Sequence, residues 1–273
     1  MHLHNNQAVP AEENTLRLVL APIGWHDFEA TNALIHEEEG QGAAYEKYID
    51  MRTIQSGNME RGCRLSNILS NAVTIFTSDG KVGYQIRGRR QSTVAGLLTS
   101  SVDENIDRRK DDVDPKDPKK RLSSGPYSES DREGKSDYIP KGVPHPLAAV
   151  DRGIADEVSP RLKEYVRTFA IKVTGVAFGL DLLHPELLWI ALVDAPAQTV
   201  ANLRIDRPGM EVDEGDIKFV PASFGNRITR AVLERPDWHP AGKASFVRAI
   251  ELIENFGPNA RPADVFDFLA EAR

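Results

Sequence analysis

The sequence predicts an α/β fold, in which helices cover both faces of a mixed β-sheet. Apolar runs typical of strands are interleaved with segments of helical periodicity, without the strict alternation that builds an all-parallel sheet. An Asp-Gly turn between two β-rich runs also indicates an antiparallel hairpin within the sheet. These observations favour an α/β/α sandwich, with N- and C-terminal elaborations.

The hairpin is predicted from runs at 73–77 and 82–87, joined by the turn at 78–80. Further strands are predicted at 16–21, 169–180, 187–193 and 216–221. Helical spacing of apolar residues occurs at 146–159, 225–233, 243–255 and 263–272. In the first of these helices the apolar stripe is Leu147, Val150, Ile154 and Val158. Pro160 should end that helix, because proline cannot continue the hydrogen-bond ladder.

A highly charged stretch interrupts the pattern at 105–142. Its few apolar residues could not offset the entropy of ordering it, so we predict a mobile insertion. The predicted organisation is therefore an N-terminal elaboration at 1–72, a core at 73–204 that contains the insertion, and a mostly helical extension at 205–273.

Composition excludes several classes of protein. The net charge is −7, which gives no basic footprint for nucleic acid. No apolar run is long enough to span a bilayer, and no secretory signal is recognisable. The single cysteine, Cys63, excludes an internal disulfide and a Cys-rich zinc site. We expect a cytoplasmic protein without a nucleic-acid or membrane partner.

The helix at 146–159 carries the candidate chemistry. Asp156 and Glu157 are adjacent carboxylates, and oxygen ligands of this kind suit Mg²⁺. A solvated acidic face with an Arg152–Asp156 pair would give the same pattern. The helix alone favours that plainer interpretation.

Two stretches together resemble the two halves of the box of the Nudix hydrolase family. The helix reads Arg152-Gly153-Ile154-Ala155-Asp156-Glu157, where the family has an Arg-Glu-apolar-x-Glu-Glu core. The upstream half resembles Gly96-Leu97-Leu98-Thr99-Ser100-Ser101-Val102-Asp103-Glu104. The resemblance covers about residues 70–200 and departs from the family in three ways. Gly153 replaces a glutamate, Asp156 is shortened, and the insertion separates the two halves.

The resemblance implies hydrolysis of a phosphoanhydride in a nucleoside-diphosphate-linked substrate, with Mg²⁺ or Mn²⁺ as cofactor. Asp156, Glu157 and Glu104 would hold the metal, and Glu157 and Glu104 would be the catalytic residues. Arg152 would orient the carboxylates and contact substrate. Glu104 or Asp103 could supply the carboxylate that Gly153 lacks, if the insertion leaves its two ends close together.

Gly153 itself has two explanations, since glycine in mid-helix costs about 1 kcal/mol relative to alanine. Either another element packs closely there, or a ligand approaches the helix, which would make Gly153 part of the substrate site. We expect that a ligand approaches the helix at Gly153. If the glycine were only a degraded ligand position, Gly153→Glu should restore helix propensity and tighten metal binding.

Arg87 and Arg89 lie in a basic cluster, Arg87-Gly88-Arg89-Arg90, and are candidates for substrate phosphates, although a solvated strand end is the plainer alternative. Trp189 should lie in the core, and Trp238 should line a pocket or cap a core edge.

Two further functions stay open: a nucleotide-binding or regulatory module that does not cut its ligand, and a protein-interaction subunit that docks through the insertion. A homodimer is also compatible with the sequence.

Overall fold

The structure is a computed structural model that describes residues 69–88, 96–105, 113–114, 117–121, 138–139, 143–144, 146–179, 184–205, 215–257, 264–265 and 268. The chain divides into two compact units. One comprises Met1–Leu69 with Gly179–Pro185, and the other comprises Ser70–Phe178 with Glu186–Arg273. Almost all of the first unit lies outside the described residues, including the strand predicted at 16–21. The second unit contains the elements described below.

Eleven strands are defined in the described part of the chain. They are β1 (Ser70–Thr77), β2 (Lys81–Ile86), β3 (Leu98–Ser100), β4 (Val102–Asn105), β5 (Val113–Asp114), β6 (Asp117–Arg121), β7 (Tyr138–Ile139), β8 (Val143–Pro144), β9 (Val166–Gly179), β10 (His184–Val193) and β11 (Asp216–Pro221). The described helices are α1 (Pro146–Gly153), α2 (Ala197–Ile205), α3 (Arg227–Leu233) and α4 (Pro240–Glu254). A π-helical turn (Ile154–Val158) and a 3-10 turn (Pro160–Glu164) follow α1.

The main sheet has seven strands and is mixed. Its order is β11-β2-β1-β10-β9, with β3 paired to β2 and β4 paired to β1. Strands β1 and β10 run parallel, from Ser70 opposite Glu186 to Thr77 opposite Val193. Strand β1 is antiparallel to β2 and β4, and β2 is antiparallel to β3 and β11. The predicted α/β class with a mixed sheet is confirmed.

The predicted hairpin forms β1 and β2. Gly80 adopts a φ of 78°, a conformation that is strained for residues with a side chain, and its N–H donates to the Thr77 carbonyl at 3.0 Å. Phe76 lies opposite Val82 across the hairpin. The Asp-Gly signal was therefore sufficient to place this turn.

Helices α1 and α4 lie on opposite faces of the sheet. Successive side chains of β1 point to opposite faces of the sheet, so Asn71 and Val73 lie on one face and Thr74 lies on the other. On one face Thr74 contacts Ser245 of α4, with 3.0 Å between the two hydroxyl oxygens. On the other face Val73 lies opposite Val102 of β4, and Val102 packs against Gly153 of α1. The described core unit is thus a three-layer sandwich.

The α4 face contains an extensive apolar cluster. Phe76, Ile190 and Leu192 pack there against Phe246 of α4. Trp238 is buried in the same cluster, with its ring centroid 5.2 Å from that of Phe246. Trp238 therefore belongs to the core, and Trp189, only 6% exposed, is buried as predicted.

The helix predicted at 146–159 changes form after Gly153. Its last turn is π-helical, because the Ser159 N–H donates to the Ile154 carbonyl five residues earlier, at 3.1 Å. Pro160 then begins the 3-10 turn, where its missing N–H is not needed. The predicted end of the helix is confirmed, whereas the change of pitch leaves no signal in the apolar spacing.

Several elements differ from the predictions. The upstream half of the box forms the short strands β3 and β4, and neither these strands nor α2 were predicted. Both sides of position 204/205, where the C-terminal extension was predicted to begin, lie in the second unit, in which β11 pairs with β2 and α4 packs on the same sheet. Most of the insertion at 105–142 and most of the helix predicted at 263–272 lie outside the described residues.

No helix among the described residues is long and apolar enough to cross a membrane.

Candidate functional site

Strand β4 brings the two halves of the candidate box together. Arg152, at the end of α1, forms an ion pair with Glu104 of β4, with 3.0 Å between Nη1 and Oε2. Their side chains are 11% and 18% exposed, so this pair is largely shielded from water. Residues on either side of the insertion are therefore neighbours, as the sequence required if Glu104 was to join the helix.

Close packing explains the glycine at position 153. A Cβ added there would lie 2.7 Å from Cγ1 of Val102 and 2.9 Å from Cβ of Glu104. Real Cβ atoms do not approach other carbon atoms so closely, so a side chain at this position would force α1 or its neighbours in β4 to shift. The sequence left two explanations open, close packing or a ligand, and we expected the ligand. The structure places β4 against Gly153 instead. The gain in stability expected for Gly153→Glu is then wrong in sign, because the new side chain has no room.

Asp103 forms a second ion pair, with Arg87 at the end of β2. The distance from Nη2 of Arg87 to Oδ2 of Asp103 is 2.7 Å, and the side chains are 14% and 11% exposed. Because Asp103 and Glu104 are consecutive in a strand, their side chains point to opposite faces. Arg87 and Arg152 therefore lie on the two sides of β4, and do not form one phosphate clamp.

Glu157 is held by the backbone of β4. Glu157 is 6% exposed. The backbone N–H of Asp103 donates to both of its carboxylate oxygens, and each N···O distance is 3.2 Å. A buried carboxylate needs such a donor, because burial without one carries a large desolvation penalty. This contact ties the π-helical turn to β4 beside the Arg152–Glu104 pair.

The candidate metal ligands do not form a metal-binding group as they are placed. Asp156 is exposed, Glu104 is paired with Arg152, and Glu157 accepts from the Asp103 N–H. Within the described ranges, no three or more His, Cys, Asp or Glu side chains are arranged to hold a metal ion. A divalent cation on Glu104 would also lie beside the Arg152 guanidinium, which repels it. A cation held by Glu104 would require its ion pair with Arg152 to open.

Asn71 is a residue that the sequence did not single out. It is completely buried, its Nδ2 donates to the Glu104 carbonyl at 3.1 Å, and its Oδ1 accepts from Trp189 Nε1 at 2.9 Å. The available signal was a single amide side chain in a strand whose other residues are apolar or carry small hydroxyl groups, since such an amide must find partners when buried. Arg89, the remaining candidate, lies outside the described residues.

Comparison with family models finds no match, and comparison with curated proteins finds none either. Among solved structures, the chain is similar to the crystal structure of DR0079 from Deinococcus radiodurans. The two share 10% identity with a TM-score of 0.37, and the alignment covers 65% of this chain and 80% of that one. A similarity at this level carries no argument about function.

Proposed function

We propose that this chain is a Nudix-like module that binds the diphosphate group of a nucleoside-diphosphate-linked molecule without efficient hydrolysis. The proposal rests on the contacts that the carboxylates of the box make. Glu104 is engaged by Arg152 and Glu157 by the Asp103 N–H, while β4 leaves no room for a carboxylate at position 153. The two halves of the box are brought together, and two of its carboxylates, Glu104 and Glu157, accept from protein donors.

Arg152 is the group best suited to contact a phosphate. A guanidinium carries five N–H donors in a rigid plane that matches phosphate oxygens. Glu104 contacts this guanidinium through Nη1 at 3.0 Å and thereby restrains its position. An arginine oriented in advance loses less entropy when a phosphate binds.

Metal-dependent hydrolysis is the second candidate, and one observation favours it. Cβ and Cγ of Glu104 lie 2.9 and 3.1 Å from the place where residue 153 would carry its Cβ. Glu104 thus enters, from the strand, the space that a glutamate on the helix would fill. If Arg152 released it, Glu104 could supply the carboxylate that the helix lacks.

Calorimetric titration with pyrophosphate and with ADP, each with and without Mg²⁺, would test the first candidate. We expect wild-type protein to bind without added metal, and Arg152→Gln to weaken binding at least about tenfold, as loss of a charged hydrogen-bond donor does. Arg230→Gln is the matched control, because Arg230 is an exposed residue of α3. An unchanged affinity in Arg152→Gln would contradict the proposal.

A phosphate-release assay on nucleotide and nucleotide-sugar substrates separates the two candidates. Turnover that requires Mg²⁺ and is abolished by Glu157→Gln would establish hydrolysis instead. The amide oxygen of glutamine can still accept from the Asp103 N–H, so this variant should keep its fold. With neither binding nor turnover, a protein-interaction role becomes the better hypothesis.

A further inference from the structure

We propose that Asn71 is a positioning residue for the ligand site, acting through Glu104 and held in turn by Trp189. This inference rests on the proposed function and extends it to residues outside the box. It follows from a continuous set of hydrogen bonds across three neighbouring strands.

The connection begins in β10. The Trp189 indole donates from Nε1 to Oδ1 of Asn71 at 2.9 Å, and both residues are buried. This contact fixes which end of the amide is the acceptor, since the indole N–H can only donate. The amide nitrogen of Asn71 must then point away from Trp189.

The same amide nitrogen donates to the backbone carbonyl of Glu104 at 3.1 Å. Asn71 lies directly opposite Glu104 in the β1–β4 register, so the bond runs between facing residues. Strand β4 is only four residues long, Val102–Asn105, and a short strand has few backbone hydrogen bonds of its own. An extra side-chain bond to Glu104 therefore has a large share in holding that residue.

Glu104 transmits this constraint to the site. Its carboxylate fixes the Arg152 guanidinium, and its Cβ packs at Gly153. A rotation of the Glu104 backbone would move both contacts together. Loss of the Asn71 bond should consequently loosen Arg152, although Asn71 does not contact it in any described interaction.

The test uses the full-length chain with pyrophosphate as the probe. We expect Asn71→Ala to weaken pyrophosphate binding about fivefold and Trp189→Phe about twofold, as the loss of neutral buried hydrogen bonds would do. Thr74→Val is the matched control: Thr74 is completely buried in the same strand, bonds Ser245 on the opposite face, and should leave binding unchanged. If Asn71→Ala fails to fold, Trp189→Phe tests the same connection more mildly.

A double-mutant cycle distinguishes positioning from general destabilisation. In a Glu104→Ala background, Asn71→Ala should cause no further loss of pyrophosphate affinity, because the side chain that links Asn71 to Arg152 has already been removed. A full additional loss in that background would overturn the proposal, as would wild-type affinity in both Asn71→Ala and Trp189→Phe.

A ligand-free measurement separates this inference from the proposed function. Hydrogen exchange of the Asp103 and Glu104 amides should accelerate in Asn71→Ala and Trp189→Phe, and not in Thr74→Val. If exchange accelerates but wild-type protein does not bind pyrophosphate, the proposed function fails and the positioning contact stands. If exchange is unchanged in both variants, the positioning role is wrong whatever the protein binds.

Discussion

Gly153 lies where α1 meets β4, and its missing side chain determines how closely they approach. Alanine would normally stabilise a helix interior by about 1 kcal/mol relative to glycine. Here its Cβ would lie 2.7 Å from Val102 Cγ1 and 2.9 Å from Glu104 Cβ. We expect Gly153→Ala to lower the free energy of unfolding by about 1–3 kcal/mol, since overpacking outweighs propensity.

Urea denaturation would measure this change, with Gly175→Ala as control. A Cβ on Gly175 would meet only Leu188 Cδ1, at an ordinary 3.7 Å. Combining Gly153→Ala with Val102→Ala should cost less than the sum of the two single changes, because the second change removes one clashing group. A Gly153→Ala protein more stable than wild type would show that the helix gains propensity without a steric cost.

Asp79, in the hairpin turn, joins β1 to the start of α2. Its carboxylate accepts from Thr77 Oγ1 at 2.7 Å and from the Ala197 N–H at 2.9 Å, and it lies 2.8 Å from Lys81 Nζ. Burial raises the pKa of Asp79, but these three donors together outweigh it and lower the pKa from 3.8 to about 2. The folded state therefore favours the ionised carboxyl.

Because the folded pKa is the lower one, Asp79 stabilises the protein above pH 4, and this contribution is lost as the pH falls towards 2. We expect Asp79→Asn to reduce the free energy of unfolding at pH 6 by about 1 kcal/mol, a value discounted for the exposure of this group. Denaturation series from pH 6 to pH 2 should show the difference from wild type shrinking below pH 4. A difference that is constant over this range would show that the carboxyl titrates normally.

At the scale of elements, the sequence predicted those whose signal is local. The Asp-Gly turn placed β1 and β2, and the run at 216–221 coincides with β11. The strands β3 and β4 were missed because Thr99, Ser100 and Ser101 are polar, although all three are buried and the first two pair with β2. Their burial depends on partners distant in sequence, which periodicity cannot register.

Helix α4 packs closely against β3 at another glycine, Gly242. A Cβ on Gly242 would lie 2.6 Å from Cα of Thr99 and 2.7 Å from the backbone nitrogen of Ser100. Backbone atoms cannot move aside as a side-chain end can. We therefore expect Gly242→Ala to cost about 2–3 kcal/mol, despite the better helix propensity of alanine.

Thermal or urea unfolding would measure this loss against Gly225→Ala. At Gly225 the nearest atom to a new Cβ is Ser223 Oγ, at 3.4 Å, so that substitution should be nearly neutral. Equal stabilities for the two variants would mean that α4 is not held against β3 in the way described.

At the scale of the whole molecule, the sequence predicted which segments form the candidate site. It did not predict the contacts between them. Arg152 and Glu104, far apart in the chain, do meet. The interaction of Glu157 with the Asp103 N–H and the support of Glu104 by Asn71 depend on the register of β4 against β1, which has no local signature.

The insertion at 105–142 gives the remaining prediction. Its described strands pair only among themselves or with β8, as β5 with β6 and β7 with β8, and neither pair joins the seven-stranded sheet. The core sheet should therefore keep its described pairings without it. We expect limited trypsin digestion to cut first within 105–142, where lysine and arginine are frequent and apolar residues are few.

Deleting 107–140 should then leave the core unit folded, for a geometric reason. Glu104 packs beside Gly153 at the far end of α1, and the helix rises about 1.5 Å per residue, so Pro146 begins roughly 10 Å away along it. The residues that the deletion leaves between β4 and α1 could span about 20 Å when extended. The shortened chain should melt within a few degrees of wild type, with the Arg152–Glu104 region intact. A large fall in melting temperature, or first cleavage elsewhere in the chain, would show that the insertion packs against the fold and contributes to its stability.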